Sequence, residues 1–309
     1  MPFQNIEVRA PRDLNVDISP YEIPAENWTY ALNAGYDSSG SYRVKGASLL
    51  YTGLPIDPIF TMAWNDGSAS CWLYANQQEV RKHSPNGSDI QMSSGFGANF
   101  QTGCHGFVFN GVAVLNNGIN DPQYANTVSS LTPLTGWPSS TQAQVLRPFK
   151  NYLMAMDITS SGSRFPSRVL WSDSADVGSV PPNWSVADPA SRSGQNDLAD
   201  TPGSIVDGLA LGDSFIVYKT DSVWALNLVG GTFVFNFRKI FDDDVGALTE
   251  GCVAPFEGQH FVLTRNDAYI HNGVSKRSIM NDRVRGLLTG IDDDNYRRTK
   301  VIADTANKE

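Results

Sequence analysis

Residues 204–228 read SIVDGLALGDSFIVYKTDSVWALNL, residues 232–240 TFVFNFRKI and residues 252–279 CVAPFEGQHFVLTRNDAYIHNGVSKRSI. Short apolar runs alternate with two-residue turns at Gly212-Asp213, Thr220-Asp221, Glu257-Gly258, Asn266-Asp267 and Asn272-Gly273. Such pairs supply the positive φ of tight hairpin turns. Between them lie Phe215-Ile216-Val217-Tyr218, Phe233-Val234-Phe235 and Phe261-Val262-Leu263, rich in β-branched and aromatic side chains. No run carries the three-and-four spacing of an amphipathic helix. The stretch therefore predicts a meander of antiparallel hairpins.

The same unit recurs upstream. Ile59–Trp64, a turn at Asp66-Gly67 and Ser70–Tyr74 open one copy; Phe107–Phe109, Asn110-Gly111 and Val112–Leu115 open another. A third has Lys150-Asn151 between Val145-Leu146 and Tyr152–Met156. The second residue of each unit's first turn is Gly67, Gly111, Asn151, Asp213 or Gly258, at gaps of 44, 40, 62 and 45 residues. The long gap holds a Pro/Ser/Asp-rich stretch at 172–203, read as an inserted loop. A period of ~40–50 residues with several strands per repeat is the signature of propeller blades. The expected fold is all-β: a β-propeller of four-stranded antiparallel blades over residues 48–309, with a two-sheet sandwich as its structural competitor.

Residues 1–47 differ. Pro24 suits a first helical turn, so a short helix is expected over 25–33, with Trp28 and Leu32 on one face. A small hairpin follows over Tyr36–Arg43, and the whole segment reads as an N-terminal clasp. At the other end a short helix is expected over 279–288. Asn307-Lys308 falls where the first turn of a sixth blade would be, so the expectation is that these residues front a longer protein, possible incompleteness of the blade set included.

Composition narrows the function classes. The 309 residues include 27 Gly, 17 Pro and 7 Trp, with a formal charge of −9 and a pI near 4.9. That balance argues against a surface that grips nucleic acid, which needs clustered Lys and Arg. Cys71, Cys104 and Cys252 are odd in number and far apart, so they read as free thiols rather than a disulfide framework or a metal site. No apolar run approaches the ~18 residues of a membrane-spanning helix, and the first residues lack a signal-like apolar stretch.

No catalytic pattern stands out in the sequence. HExxH, GxSxG, a P-loop and a helix-opening GxGxxG are missing from the sequence. Cys104-His105 has no third member in view, and His83, His105, His260 and His271 read as lying in different repeats. The runs Asp242–Asp244 and Asp292–Asp294 lack the interleaved spacing of a cation loop. Gly95-Phe96-Gly97 reads as a flexible turn. Ser174-Ala175-Asp176-Val177-Gly178 with Trp184 resembles the Asp-box turn of sialidase-type propellers, but the Trp arrives late and the box occurs once. Glycoside hydrolysis further needs two placed carboxylates, which no spacing singles out. No catalytic residue, cofactor or metal is assigned.

One resemblance spans most of the chain. Leu14–Pro24 (LNVDISPYEIP), then Trp28, Ala31, Asn33 and Gly46, is similar to the opening of tail proteins of short-tailed, podovirus-type bacteriophages. Arg168–Asp173 with Asn183-Trp184 resembles an inter-blade segment of the same proteins, as do Gly246-Ala247, Glu257–Leu263 and Asp267–Gly273. The family this resemblance implies is the tail nozzle, or tail tubular protein B-like, group. The resemblance implies a non-enzymatic virion protein, made in the host cytoplasm, that forms a homo-oligomeric ring (a hexamer in that family). Its implied partners are the tail adaptor protein, tail fibres and genomic DNA passing through the channel without specific binding, with no membrane span. Acidity would keep DNA sliding, since attraction scales with Lys and Arg contacts. A tail hub or plug protein and a carbohydrate-binding, sialidase-like propeller are the alternatives.

Overall fold

The computed structural model describes residues 13–15, 19, 21–24, 27–31, 34–37, 40–43, 51–98, 103–231, 233–242, 245–280 and 290–304. Four short strands come first: β1 (Asp13–Leu14), β2 (Asn27–Trp28), β3 (Ala34–Asp37) and β4 (Gly40–Arg43). Five four-stranded sheets follow, each antiparallel and each drawn from consecutive strands. They are β5 (Phe60–Asn65) to β8 (Asp89–Ser94), β9 (His105–Phe109) to β12 (Ser130–Pro133), β13 (Thr141–Phe149) to β16 (Gly194–Asp197), β17 (Ile205–Leu211) to β20 (Phe235–Phe241), and β21 (Val253–Phe256) to β24 (Lys276–Ser278). The first strands touch in series, β5 to β9, β9 to β13, β13 to β17 and β17 to β21. Sheets joined edge by edge through their innermost strands are the blades of a β-propeller, and the sandwich is set aside.

The core lies between blades rather than inside one layer. Leu73 and Val80 of the first blade pack with Ala113 and Leu115 of the second. Phe109 and Val114 then meet Leu146, Leu153 and Ile158 of the third, whose other face gives Phe149, Met154 and Met156 to Phe215, Val217 and Leu226 of the fourth. Ile216, Tyr218 and Ala225 turn the opposite way, toward Val253, Val262 and Tyr269 of the fifth. Successive side chains of one strand point to opposite faces. A middle strand with a blade on each side is therefore apolar on both faces, as Tyr152–Met156 is, buried throughout. That is why these strands read as unbroken apolar runs.

All five marker turns fall at the first hairpin of a blade. Asn110 and Gly111, and Glu257 and Gly258, adopt positive φ as a tight hairpin requires. The hairpin expected over 36–43 is present as β3 and β4, with 38–39 outside the described residues.

Three expectations change. The helix over 25–33 gives way to an extended Asn27–Trp28, paired in parallel with Asp13–Leu14; 25–26 and 32–33 lie outside the described residues. Two apolar side chains make too short a stripe to sustain an isolated helical turn. Here the Trp28 carbonyl instead accepts the Asn15 amide (2.9 Å). The stretch 172–203 is more than a loop, because it contains β16, the outer strand of the third blade. Gly194 pairs with Trp171, and a Cβ there would meet the indole at 2.3 Å, so a glycine is what lets this polar strand lie flat. Of the helix expected over 279–288, residues 281–288 lie outside the described set. Among the described residues no helix is long and apolar enough to cross a membrane.

Candidate functional site at the propeller hub

Four innermost segments each bring one titratable side chain to the hub: His105 at the start of β9, Arg147 in β13, Asp207 in β17 and Glu250 just before β21. Arg147 donates from Nε to Asp207 Oδ1 and from Nη2 to Glu250 Oε1, both at 2.9 Å. Asp207 Oδ2 also accepts the Gly251 amide at 2.8 Å. His105 Nε2 accepts the Leu146 amide at 3.0 Å, so that nitrogen is unprotonated and Nδ1 carries the proton. Nδ1 faces Glu250 Oε1 at 2.7 Å, a close electrostatic contact without hydrogen-bond alignment. Asn116 braces the same spot, donating to the Ala143 carbonyl at 2.8 Å.

Burial alone would push the Glu250 carboxyl up, but His105 and Arg147 outweigh it and hold it well below the usual carboxylate range. For Arg147 burial pulls the other way from its two carboxylate partners, and the carboxylates win, holding the guanidinium charged. A buried charge is tolerable only when it is paired and hydrogen-bonded. Each member here spends its polar atoms on another blade, so the cluster works as a clasp on four blades. A cleft of about 130 Å³ opens beside it, lined by Gln144, Asp157, Arg164, Glu250, Arg297 and Lys300. Its charges are also committed: Arg164 grips Asp157 bidentately at 2.8 and 2.5 Å, and Lys300 Nζ donates to the Glu250 carbonyl at 2.7 Å.

A second polar cluster sits between the fourth and fifth blades. Tyr218 in β18 (Ser214–Lys219) places its hydroxyl 2.7 Å from His260 Nδ1 and 2.6 Å from His271 Nε2. His260 Nε2 lies 3.0 Å from the Ala210 carbonyl and must donate to it. His260 Nδ1 is thus the acceptor of the Tyr218 proton. His271 Nδ1 accepts the Gly273 amide at 3.1 Å, leaving Nε2–H to donate to Tyr218. The chain of donors closes with both imidazoles neutral. Burial, and then the neighbouring His260, lowers His271 to about 4; burial also lowers His260 and raises the Tyr218 phenol.

The sequence-read candidates distribute as follows. His260 and His271 are not in different repeats: β22 (Gln259–Leu263) and β23 (Ala268–His271) pair them directly across one sheet, because each lies next to a hairpin end of the same blade. Cys104 neighbours the hub, but burial and the Glu250 charge push its thiol up to about 12, which removes thiolate character. Cys71 and Cys252 are buried free thiols. Phe96 of the Gly-Phe-Gly turn is buried, and Gly97 lies against the Asn76–Gln77 backbone. The Asp-box-like turn packs onto two blades: Ala175 donates to the Asn151 carbonyl and Gly178 to that of Asn110, at 2.8 and 3.1 Å. Trp184 is buried edge-on to Trp137. Asp242 pairs with Lys239, while Asp292 accepts the Asp294 amide and Asp293 pairs with Arg265, closing a surface turn; residues 243–244 lie outside the described set. Among the described residues no group of three or more His, Cys, Asp or Glu side chains is gathered as a metal site.

Sequence reading missed Arg147, Asp207 and Glu250 altogether. Their signal was present: from His105 onward the hub residues are 42, 60 and 43 residues apart, which is the turn period itself.

No family model and no curated protein matches the chain. Among solved structures it is similar to the computationally designed Ika8 protein (TM-score 0.47, 8% identity, 75% of this chain and 64% of that one). It is also similar to the N-terminal domain of Nup159 (TM-score 0.44, 10% identity, 79% and 71%) and to BBS1N solved in complex with ARL6DN (TM-score 0.42, 8% identity, 77% and 70%). The chain thus spans less than two thirds of the designed protein's length. These likenesses bear on neither partners nor chemistry.

Proposed function

We propose that this chain is a structural virion protein of a short-tailed bacteriophage, a ring-forming tail nozzle component that conducts DNA rather than transforming a substrate. The observation that supports the reading is the course of residues 172–184, which join two strands of the third blade, rather than two blades as the resemblance implied, and reach across to a neighbouring blade. Residues 168–171 form the end of β15 (Ser163–Trp171), and residues 172–184 run out over the first turns of the second and third blades, bound at Asn110 and Asn151. A rigid disc with a side loop tied across two blades offers different faces to successive neighbours, as a head-to-tail ring needs. The hub fits the same reading, because its charged groups hold blades to each other.

The test is isolation of the native particle followed by electron microscopy and mass spectrometry of the tail. The expected result is a symmetric ring of this chain beside the portal and adaptor. Absence of the chain from the purified particle, or glycan turnover by the purified protein, would remove the proposal.

A further inference from the structure

The last described residues belong to no blade and return to the hub. Residues 290–301 keep a shape of their own. The Asn295 amide donates to the Asp292 carbonyl, Arg298 to Asn295 and Thr299 to Tyr296, at 3.1, 2.9 and 3.0 Å, and Asn295 Nδ2 donates to Asp292 Oδ2 at 2.6 Å. The segment then meets the hub at one seat. Lys300 Nζ donates to the Glu250 carbonyl at 2.7 Å and the Val301 amide to the Gly251 carbonyl at 2.8 Å. Gly251 has a φ of 76°, and a Cβ there would meet Lys300 Cδ at 2.7 Å, so glycine is what lets the lysine stem lie on this backbone. Beside it the Thr299 carbonyl stands 3.5 Å from the Cys252 sulfur.

The seat matters to the hub because of the backbone it holds. Glu250 carries the carboxylate that meets Arg147 and His105, and the Gly251 amide donates to Asp207 Oδ2. Lys300 and Val301 fix the two carbonyls of the same residues, whose other groups complete the clasp. Away from the seat the hold is weaker. No side chain of Tyr296–Arg298 is buried, Ile302 is 85% exposed, and the Arg265–Asp293 pair is exposed at both ends, where an ion pair contributes little. The cleft of about 130 Å³ beside the hub and another of about 410 Å³ both have Tyr296 in their walls, so the underside of the segment is not packed solid. Few buried apolar contacts and exposed hydrogen bonds are the marks of a segment that opens locally.

We propose that residues 290–301 are a strap over the hub, which lifts as a unit while the blades stay folded. Closed, it seats Glu250 and shields Cys252, which is fully buried. Open, it withdraws the donors of the Glu250 and Gly251 carbonyls and bares the cleft beside the clasp. Its internal bonds make it move in one piece, and the Lys300–Val301 seat sets how often it does so.

The experiment is labelling of the full chain with N-ethylmaleimide, each cysteine followed separately by mass spectrometry. Cys252 lies under the strap, whereas Cys71, buried in the first blade, reports unfolding elsewhere. In the wild type Cys252 should react well before Cys71, at a rate that dilute urea hardly changes, because lifting the strap exposes little surface. Lys300→Met and Val301→Pro each remove one donor of the seat and should speed Cys252 roughly fivefold, with Cys71 unchanged. Both positions lie outside the blades, and circular dichroism should confirm that each variant is folded. Equal rates at Cys252 and Cys71, variants that leave Cys252 unchanged, or variants that speed both thiols alike would each overturn the strap. A Cys252 rate that climbs steeply in dilute urea would do the same, since it marks opening of the whole fifth blade.

Discussion

The hub clasp and the Tyr218 cluster are both buried, both polar and both placed between blades, yet they solve the burial problem in opposite ways. At the hub, Arg147 is held charged by its pairing with Asp207 and Glu250. Between the fourth and fifth blades, Tyr218, His260 and His271 keep no charge and close a ring of neutral donors and acceptors. Ion pairs cost desolvation and demand complete pairing; neutral networks cost less but fail once a member titrates. The hub should therefore be sensitive to deletion, and the second cluster to acid.

The largest expected effect is at the hub. Arg147→Met leaves two carboxylates facing each other without a cation, and breaking a buried pair in this way costs roughly 3–5 kcal/mol. Urea unfolding at neutral pH measures it. Adding Glu250→Gln to Arg147→Met should restore part of the loss, since the orphaned charge is gone. If the single variant unfolds at wild-type urea concentrations, the clasp carries no load and the contrast collapses.

Acid comes next. The folded-state value of His271 is depressed to about 4 from 6.5, so between those values the unfolded chain binds more protons. Its contribution is complete above pH 6.5 and is lost as pH falls toward 4, by about 3 kcal/mol over that window. Glu250 is held below its ordinary range, so its contribution is complete above the carboxylate range and is lost as pH falls through it. Stability followed from pH 7 to about 5.5 thus isolates the histidine cluster. A His271→Gln variant, unable to titrate, should flatten the profile; an unchanged slope would place the acid sensitivity elsewhere.

Tyr218→Phe is smaller and still diagnostic. It removes the hydroxyl that accepts from His271 and donates to His260, leaving two buried groups unsatisfied at a cost of about 1–3 kcal/mol. Thermal unfolding at pH 7.5, where both imidazoles are neutral, separates this loss from titration. No loss would mean that the hydroxyl is dispensable and that packing alone joins the two blades.

What the sequence disclosed and what it hid divide along similar lines. Turn chemistry is local, so Gly67, Gly111, Asn151, Asp213 and Gly258 declared the blades, and each sits in a first hairpin. The strand Gly194–Asp197 stayed hidden because Gly-Gln-Asn-Asp has no apolar alternation; it is held by Arg168, which grips Asp197 at 2.7 and 2.8 Å, and by the absent side chain at Gly194. Asn27–Trp28 misled because Pro24 and a Trp-Leu spacing favour a helix, whereas pairing to Asp13–Leu14 decides the outcome. The hub escaped because its partners lie one repeat apart, beyond any local window. Superposing the repeats would have aligned Arg147, Asp207 and Glu250 near the start of successive blades, but the chemistry linking them is visible only in space.

The smallest effect asks whether the two clusters belong to one cooperative unit. Lys150 in the third blade and Glu257 in the fifth occupy equivalent first turns, and both hold positive φ, at 51° and 47°. A side chain without local hydrogen bonding pays for that conformation, and asparagine tolerates it better, by roughly 0.5 kcal/mol. Lys150→Asn and Glu257→Asn should then raise the unfolding midpoint by similar small amounts if all blades unfold together. If the fifth blade opens first, by way of its acid-sensitive seam, Glu257→Asn will sharpen only an early phase, while Lys150→Asn moves the main transition. Hydrogen exchange of the Val262 and Val217 amides, one in each of the adjoining sheets, reads the same distinction: equal protection argues for a single unit, and faster exchange at Val262 for a fifth blade secured chiefly by its neutral network.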